Sequence, residues 1–171
     1  MAVNYEKNHL YVILEDAPYR EMLNGTKMTN FNYNVVKVNN PSRGWKAVFE
    51  DFKSSIPMLR KYKNRYTLLL MDFDDKDKSS EKSFANRLET FNSLIPLELK
   101  KRVFILGVNH KESEALKKLF QTPHFENIGK KLVENCPQGN LSNWNNTHLE
   151  CNLPEIERMR ENGIFDWLFL K

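Results

Sequence analysis

The segment "RYTLLLMDFDDKDKSS", Arg65 to Ser80, drives an apolar run into a burst of acid at Asp72, Asp74, Asp75 and Asp77. Like carboxylates crowded at a strand end repel one another, and the crowding is tolerated where a cation or a proton neutralises it. Side chains alternate along a strand, so Asp72 and Asp74 point the same way and can flank one ion while Phe73 turns into the packing. Hard oxygen ligands select Mg²⁺ or Mn²⁺ over zinc. An ion held there polarises a phosphoryl oxygen and lowers the pKa of a bound water, the logic of phosphodiester chemistry. Asp75 and Asp77 read instead as loop and helix-capping residues.

The elements that must position these residues alternate in type. "HLYVILED" is a continuous apolar strand, followed by a short helix over "APYREMLNGTKM" that ends at Gly25. "NYNVVKV" is β-branched and reads as a second strand. "RGWKAVFEDFKSSIPMLRKY" is an amphipathic helix with Trp45, Val48, Phe49 and Phe52 on its core face, and Pro57 is expected to kink or end it. "RYTLLLMDFD" is the third strand. "SEKSFANRLETFNSLI" is a helix capped by Ser79 or Ser80, with Phe84, Leu88, Phe91, Leu94 and Ile95 inward. "KRVFILGV" is a fourth strand, "KESEALKKLFQ" and "HFENIGKKLVENC" are helices, and an Asn-rich stretch leads to a helix at "LPEIERMREN" and an apolar clasp, "IFDWLFLK".

Wholly apolar strands separated by helices predict an α/β fold with a mainly parallel four-stranded sheet covered on both faces. Ligands of such sheets bind beyond the carboxyl ends of the strands. Glu15 and Asp16 follow the first strand, Asp72 and Asp74 the third, and Glu112 and Glu114 the fourth after one short turn. Three strands thus deliver carboxylates to one edge, with Glu15 placed to complete an ion cage or act as a general base. Beyond the Asp-x-Asp, Lys76, Lys78, Lys82 and Arg87 are candidate phosphate contacts, and His110 is a candidate proton shuttle that also suits an ordinary loop position. "RKYKNR", Arg60 to Arg65, interleaves Tyr62 with basic residues but lies before the third strand, at the opposite edge; it reads as a solvated helix end.

The 171 residues suit one domain, with a core over about 9–120 and an extension over about 121–171. A charge of +4, from 26 basic and 22 acidic residues, makes a mixed surface with a mild bias toward polyanions. No stretch approaches the roughly 18 apolar residues of a membrane span, and the N-terminus lacks signal-peptide anatomy, so a cytoplasmic protein is expected. Cys136 and Cys151, without CxxC or zinc spacing, read as reduced thiols, and the aromatic residues Trp144, Phe165, Trp167 and Phe169 as core or interface. Nothing supports a Ser/His/Asp or Cys/His hydrolase, a GxGxxG or a P-loop.

A Glu after the first strand, an Asp-x-Asp after a later one and alternating β/α segments resemble the Toprim domain of topoisomerases, primases, small RNA-maturation nucleases and OLD-type nucleases. "NHKESEALKKLF", Asn109 to Phe120, is similar to the "HEFEALLF" signature of a small Toprim-like family found in bacteria. The resemblance runs from His9 to about Phe120. It implies a Toprim/Rossmann-like fold and a Mg²⁺- or Mn²⁺-dependent nuclease acting on DNA or RNA. Glu15 then corresponds to the acid/base glutamate, Asp72 and Asp74 to the metal aspartates, and Glu112 with Glu114 to the later acidic pair. It also implies a partner protein such as an ATPase. The sequence departs from the pattern where Asp16, Ala17 and Pro18 replace the usual glycine after the glutamate, and where "ESEALK" replaces "EFEALL". Two other readings stand beside the nuclease. A catalytically degenerate Toprim-like interaction module would use its acidic edge and apolar C-terminus for docking. A haloacid-dehalogenase-like phosphatase would use Asp72 as nucleophile and Asp74 as acid.

Overall fold

The computed structural model describes residues 3–73, 84–110 and 113–171. Four strands, β1 (His9–Leu14), β2 (Val36–Val38), β3 (Arg65–Phe73) and β4 (Val103–Asn109), form one all-parallel sheet in the order β2-β1-β3-β4. The α/β architecture expected from the apolar strands is therefore present. Alternation along β3 divides the core: Leu68 and Leu70 pack beneath α1 (Ala17–Gly25) and α5 (Phe125–Glu134), while Leu69, Met71 and Phe73 pack beneath α2 (Trp45–Lys61) and α3 (Phe84–Leu94). Ser79 and Ser80, the expected cap of α3, and the side chain of Phe84 lie outside the described residues.

Residues beyond 120 belong to the first of these two layers. Phe125, Ile128 and Leu132 of α5, Ile156 and Met159 of α6 (Leu153–Glu161) and Leu168 of α7 (Phe165–Leu168) share one buried cluster with β1, β3 and β4. Trp144 donates its indole N–H to the Leu132 carbonyl at 2.8 Å and packs on that cluster, and Trp167 lies against Tyr66. The cluster leaves an almost wholly apolar cavity of about 130 Å³.

α1 and α5 approach so closely that glycine is required on both. A Cβ on Gly25 would stand 1.9 Å from the Glu126 carbonyl oxygen, and one on Gly129 would stand 1.9 Å from that of Met22.

Three elements differ from expectation. The stretch before β2 forms a 3₁₀ turn, Tyr33–Val35, and the residues just ahead of it are held by the C-terminal segment: Asn32 N–H donates to Leu168 O at 2.8 Å and Leu170 N–H to Asn30 O at 2.7 Å. α2 continues through Pro57 to Lys61. The proline removes the bond to the carbonyl of Lys53, an exposed residue whose carbonyl water can serve. Among the described residues of "KESEALKKLFQ" the helix is α4 (Ala115–Leu119), which ends early because Gln121 adopts φ +51° and Pro123 follows.

The outer edge of β4 is closed by side chains of the Asn-rich stretch and α6. Arg158 donates to Val103 O at 2.5 Å, Glu155 accepts from Ile105 N–H at 2.9 Å, and the Asn152 carboxamide makes two 2.8 Å bonds, to Gly107 N–H and Gly107 O. His148 O accepts from Asn109 N–H at 2.8 Å. Alternate residues of an edge that would otherwise offer unpaired backbone to another chain are thereby occupied. Asn152 is fully buried, so Asn152→Ala leaves a donor and an acceptor unpaired and is expected to cost about 3 kcal/mol in urea unfolding. A loss under about 1 kcal/mol would mean that water serves this edge instead.

Candidate functional site at the ends of β1 and β3

The connection from β1 runs through α1 over one face of the sheet, and that from β2 through α2 over the other. β2 and β3 flank β1 on opposite sides. The chain therefore departs in opposite directions past the carboxyl ends of β1 and β3, the switch point at which doubly wound sheets bind ligands. Glu15 is the first residue beyond β1 and Asp72 the penultimate residue of β3.

These two residues meet. The Glu15 backbone N–H donates to Leu70 O at 2.9 Å, and Glu15 Oε2 accepts the Asp72 backbone N–H at 2.8 Å. The Asp72 carboxylate turns inward toward α1: Oδ1 accepts the Tyr19 hydroxyl at 2.5 Å and Oδ2 the Ser113 N–H at 2.9 Å. The Tyr19 oxygen in turn accepts Val108 N–H at 3.3 Å. One carboxylate thus ties β3 to α1 and to the turn before α4. Asp72 is 5% exposed. Burial pushes its pKa up to about 7, the two donors oppose that rise, and the charges of Asp16 and Glu15 add to it. Burial, followed by the adjacent Asp72 charge, also raises the Tyr19 phenol well above its ordinary value.

Other expected residues fall differently. Arg87 is not a surface phosphate contact: it is fully buried, its guanidinium donates to the Asp72 carbonyl, and it lies 4.9 Å from the Trp45 ring centre. It fastens α3 to the end of β3. Glu114 does not turn toward Asp72 but pairs with Lys117 at 2.9 Å, on the exposed side of α4; the backbone of its neighbour Ser113 reaches Asp72 instead. His110 stands at the rim, its N–H extending the β3–β4 ladder to Phe73 O at 2.8 Å and its ring 3.2 Å from the Asn109 side chain. Its φ of +69° marks a forced turn. Asp74, Lys76, Lys78, Lys82 and Glu112 lie outside the described residues.

Tyr19, Ser113 and Arg43 were not singled out from sequence. Tyr19 follows Pro18 in the first turn of α1, which faces the end of β3, and that position was the available signal. Arg43, at φ +63°, wraps the loop after β2 around the end of β1 through its N–H to Glu15 O at 2.8 Å.

Glu15 and Asp72 are oxygen donors of the kind Mg²⁺ takes. Among the described residues no group of three or more His, Cys, Asp or Glu could hold a metal ion. Cys136 and Cys151 are free thiols, both raised by burial, Cys151 to about 12. Among the described residues no helix is long and apolar enough to cross a membrane. No protein-family model, curated protein or solved structure matches the chain.

Proposed function

We propose that the crevice past β1 and β3 is a Toprim-like site for metal-dependent cleavage of phosphodiester bonds in DNA or RNA. The observation that carries this reading is the Glu15 carboxylate seated on the Asp72 amide at the switch point. Asp72 with Asp74 would hold Mg²⁺ or Mn²⁺, with Glu112 as the later acidic group. When bound, such an ion supplies charge stabilisation at a phosphoryl oxygen. Glu15 is the general acid/base: the Asp72 N–H on Oε2 orients its carboxylate. Tyr19 and Ser113 fix the rotamer of Asp72, and a carboxylate still has acceptor capacity beyond two such donors. A partner carrying nucleic-acid contacts or ATPase activity is what the resemblance to Toprim proteins implies.

The test is Mn²⁺ binding by calorimetry together with cleavage of labelled DNA and RNA. Glu15→Gln is expected to lower the cleavage rate by about 10²- to 10⁴-fold, the range for a general acid/base. Asp72→Asn is expected to weaken Mn²⁺ binding. Absence of both Mn²⁺ binding and cleavage in the wild type would leave the degenerate interaction module as the reading. Both Asp72 oxygens already accepting protein donors, and Asp16 standing where Toprim domains carry glycine, favour that second reading. An aspartyl-phosphate mechanism asks for a nucleophile open to substrate, and the depth of Asp72 weighs against it.

A further inference from the structure

At the opposite, amino-terminal end of the sheet, beneath α2, the first residue of β3 is a buried cation. Arg65 is 4% exposed, and its guanidinium carbon lies 4.0 Å from the centre of the Tyr11 ring. Its Nε is buried without a hydrogen-bond partner, and among the described residues no carboxylate pairs with it. An uncompensated buried charge is costly, and a cation–π contact offsets only part of that cost.

Arg65 lines a pocket of about 270 Å³, walled also by Tyr5, Tyr11, Lys37 and Ser54. Lys37, paired with Tyr11 in the sheet register, donates to the Tyr5 hydroxyl at 2.9 Å. The acid on this wall, Asp51, accepts Ser42 Oγ at 2.6 Å and Asn39 Nδ2 at 3.4 Å on one carboxylate oxygen, Oδ2, which ties it to the loop after β2. Beside the pocket His9 is fully buried, with its Nδ1 2.9 Å from Lys7 O; burial lowers its pKa, the Lys7 bond opposes that shift, and Arg65 and Lys37 add to it. Two cations, two tyrosines and a serine therefore line one recess, and among the described residues no carboxylate is paired with Arg65.

We infer that this pocket binds a small molecule through a phosphate or carboxylate group, with Arg65 as the buried counter-charge, Lys37 at the rim and the tyrosines along its sides. Guanidinium suits such planar, forked recognition of an oxyanion. The site is independent of the carboxylate crevice at the other end of the strands.

The experiment titrates inorganic phosphate and, separately, acetate into the full chain at constant ionic strength, following the Arg65 Nε–H resonance and the unfolding temperature. A saturable shift of that resonance with a rise in Tm is expected; response to phosphate alone or to acetate alone assigns the group recognised. Lys37→Met, an exposed change, is expected to weaken binding roughly tenfold or more, and Arg65→Met to abolish the saturable response. Without anion, Arg65→Met is expected to keep or raise Tm, since it removes a buried charge that pairs with no carboxylate among the described residues. The inference is overturned if neither anion gives saturation, if both variants bind like the wild type, or if Arg65→Met loses the fold, which would make Arg65 a structural group already satisfied.

Discussion

Gly129→Ala is expected to lower the unfolding free energy by at least about 4 kcal/mol, a loss reserved for severe steric or packing damage. Helix propensity alone argues the other way, since alanine in a helix interior is favoured over glycine by about 1 kcal/mol. The opposite sign comes from the crossing of α1 and α5. A methyl group at Gly129 would lie 1.9 Å from the Met22 carbonyl oxygen, and the reciprocal contact of Gly25 with Glu126 allows no sliding to relieve it. Both obstacles are backbone, so no rotamer change opens space; the helices must separate and expose Met22, Leu23 and Ile128. Urea unfolding of the single variant checks this. Unchanged or increased stability would show that the helices are not in this contact in solution.

The second large effect is a pH dependence centred on Asp72. Its folded pKa of about 7 lies above the ordinary aspartate value near 4. Below about pH 4 both folded and unfolded chains carry the proton. Between about 4 and 7 the folded chain retains a proton that the unfolded chain has released, so stability falls as pH rises, by up to roughly 4 kcal/mol over the window, and levels above it. Asp72→Asn cannot titrate. It can accept Ser113 N–H through its oxygen and donate to the Tyr19 oxygen, so its stability is expected to change less over the same range. Unfolding of both proteins at intervals from pH 4.5 to 8 makes the comparison. Parallel curves would refute the assignment to Asp72. A divalent ion on this carboxylate would favour its charged form and flatten the wild-type slope, linking this measurement to the proposed chemistry.

Much of this arrangement was legible in one dimension. Continuous apolar segments such as "LYVIL" and "TLLLM", separated by amphipathic stretches, suit strands buried on both faces, and such strands must be parallel and helix-covered. Once the sheet is parallel, Glu15 and Asp72 have to share its carboxyl edge; that the Glu15 carboxylate takes the Asp72 backbone N–H, at 2.8 Å, was not legible. Two-residue alternation also correctly sends Phe73 to the layer opposite Asp72.

Depth and partner choice were not legible, because they depend on which distant segment arrives at each side chain. Arg87 has the composition of a surface cation, yet α3 carries it beneath Trp45 onto the end of β3. Arg65 sits in a basic run that reads as a solvated helix end, and its place as the first residue of a central strand buries it. His148, Asn152, Glu155 and Arg158 form a polar series with no evident target until α6 lies along the open edge of β4 and their spacing matches alternate backbone groups there. Local pattern determined where the strands lie and that Glu15 and Asp72 fall at the same end of the sheet, since periodicity is carried by neighbours along the chain. Only tertiary contact decided that Asp72 is held by Tyr19 and Ser113 and that Arg65 is enclosed with its Nε unbonded, since desolvation and pairing are properties of the assembled interior.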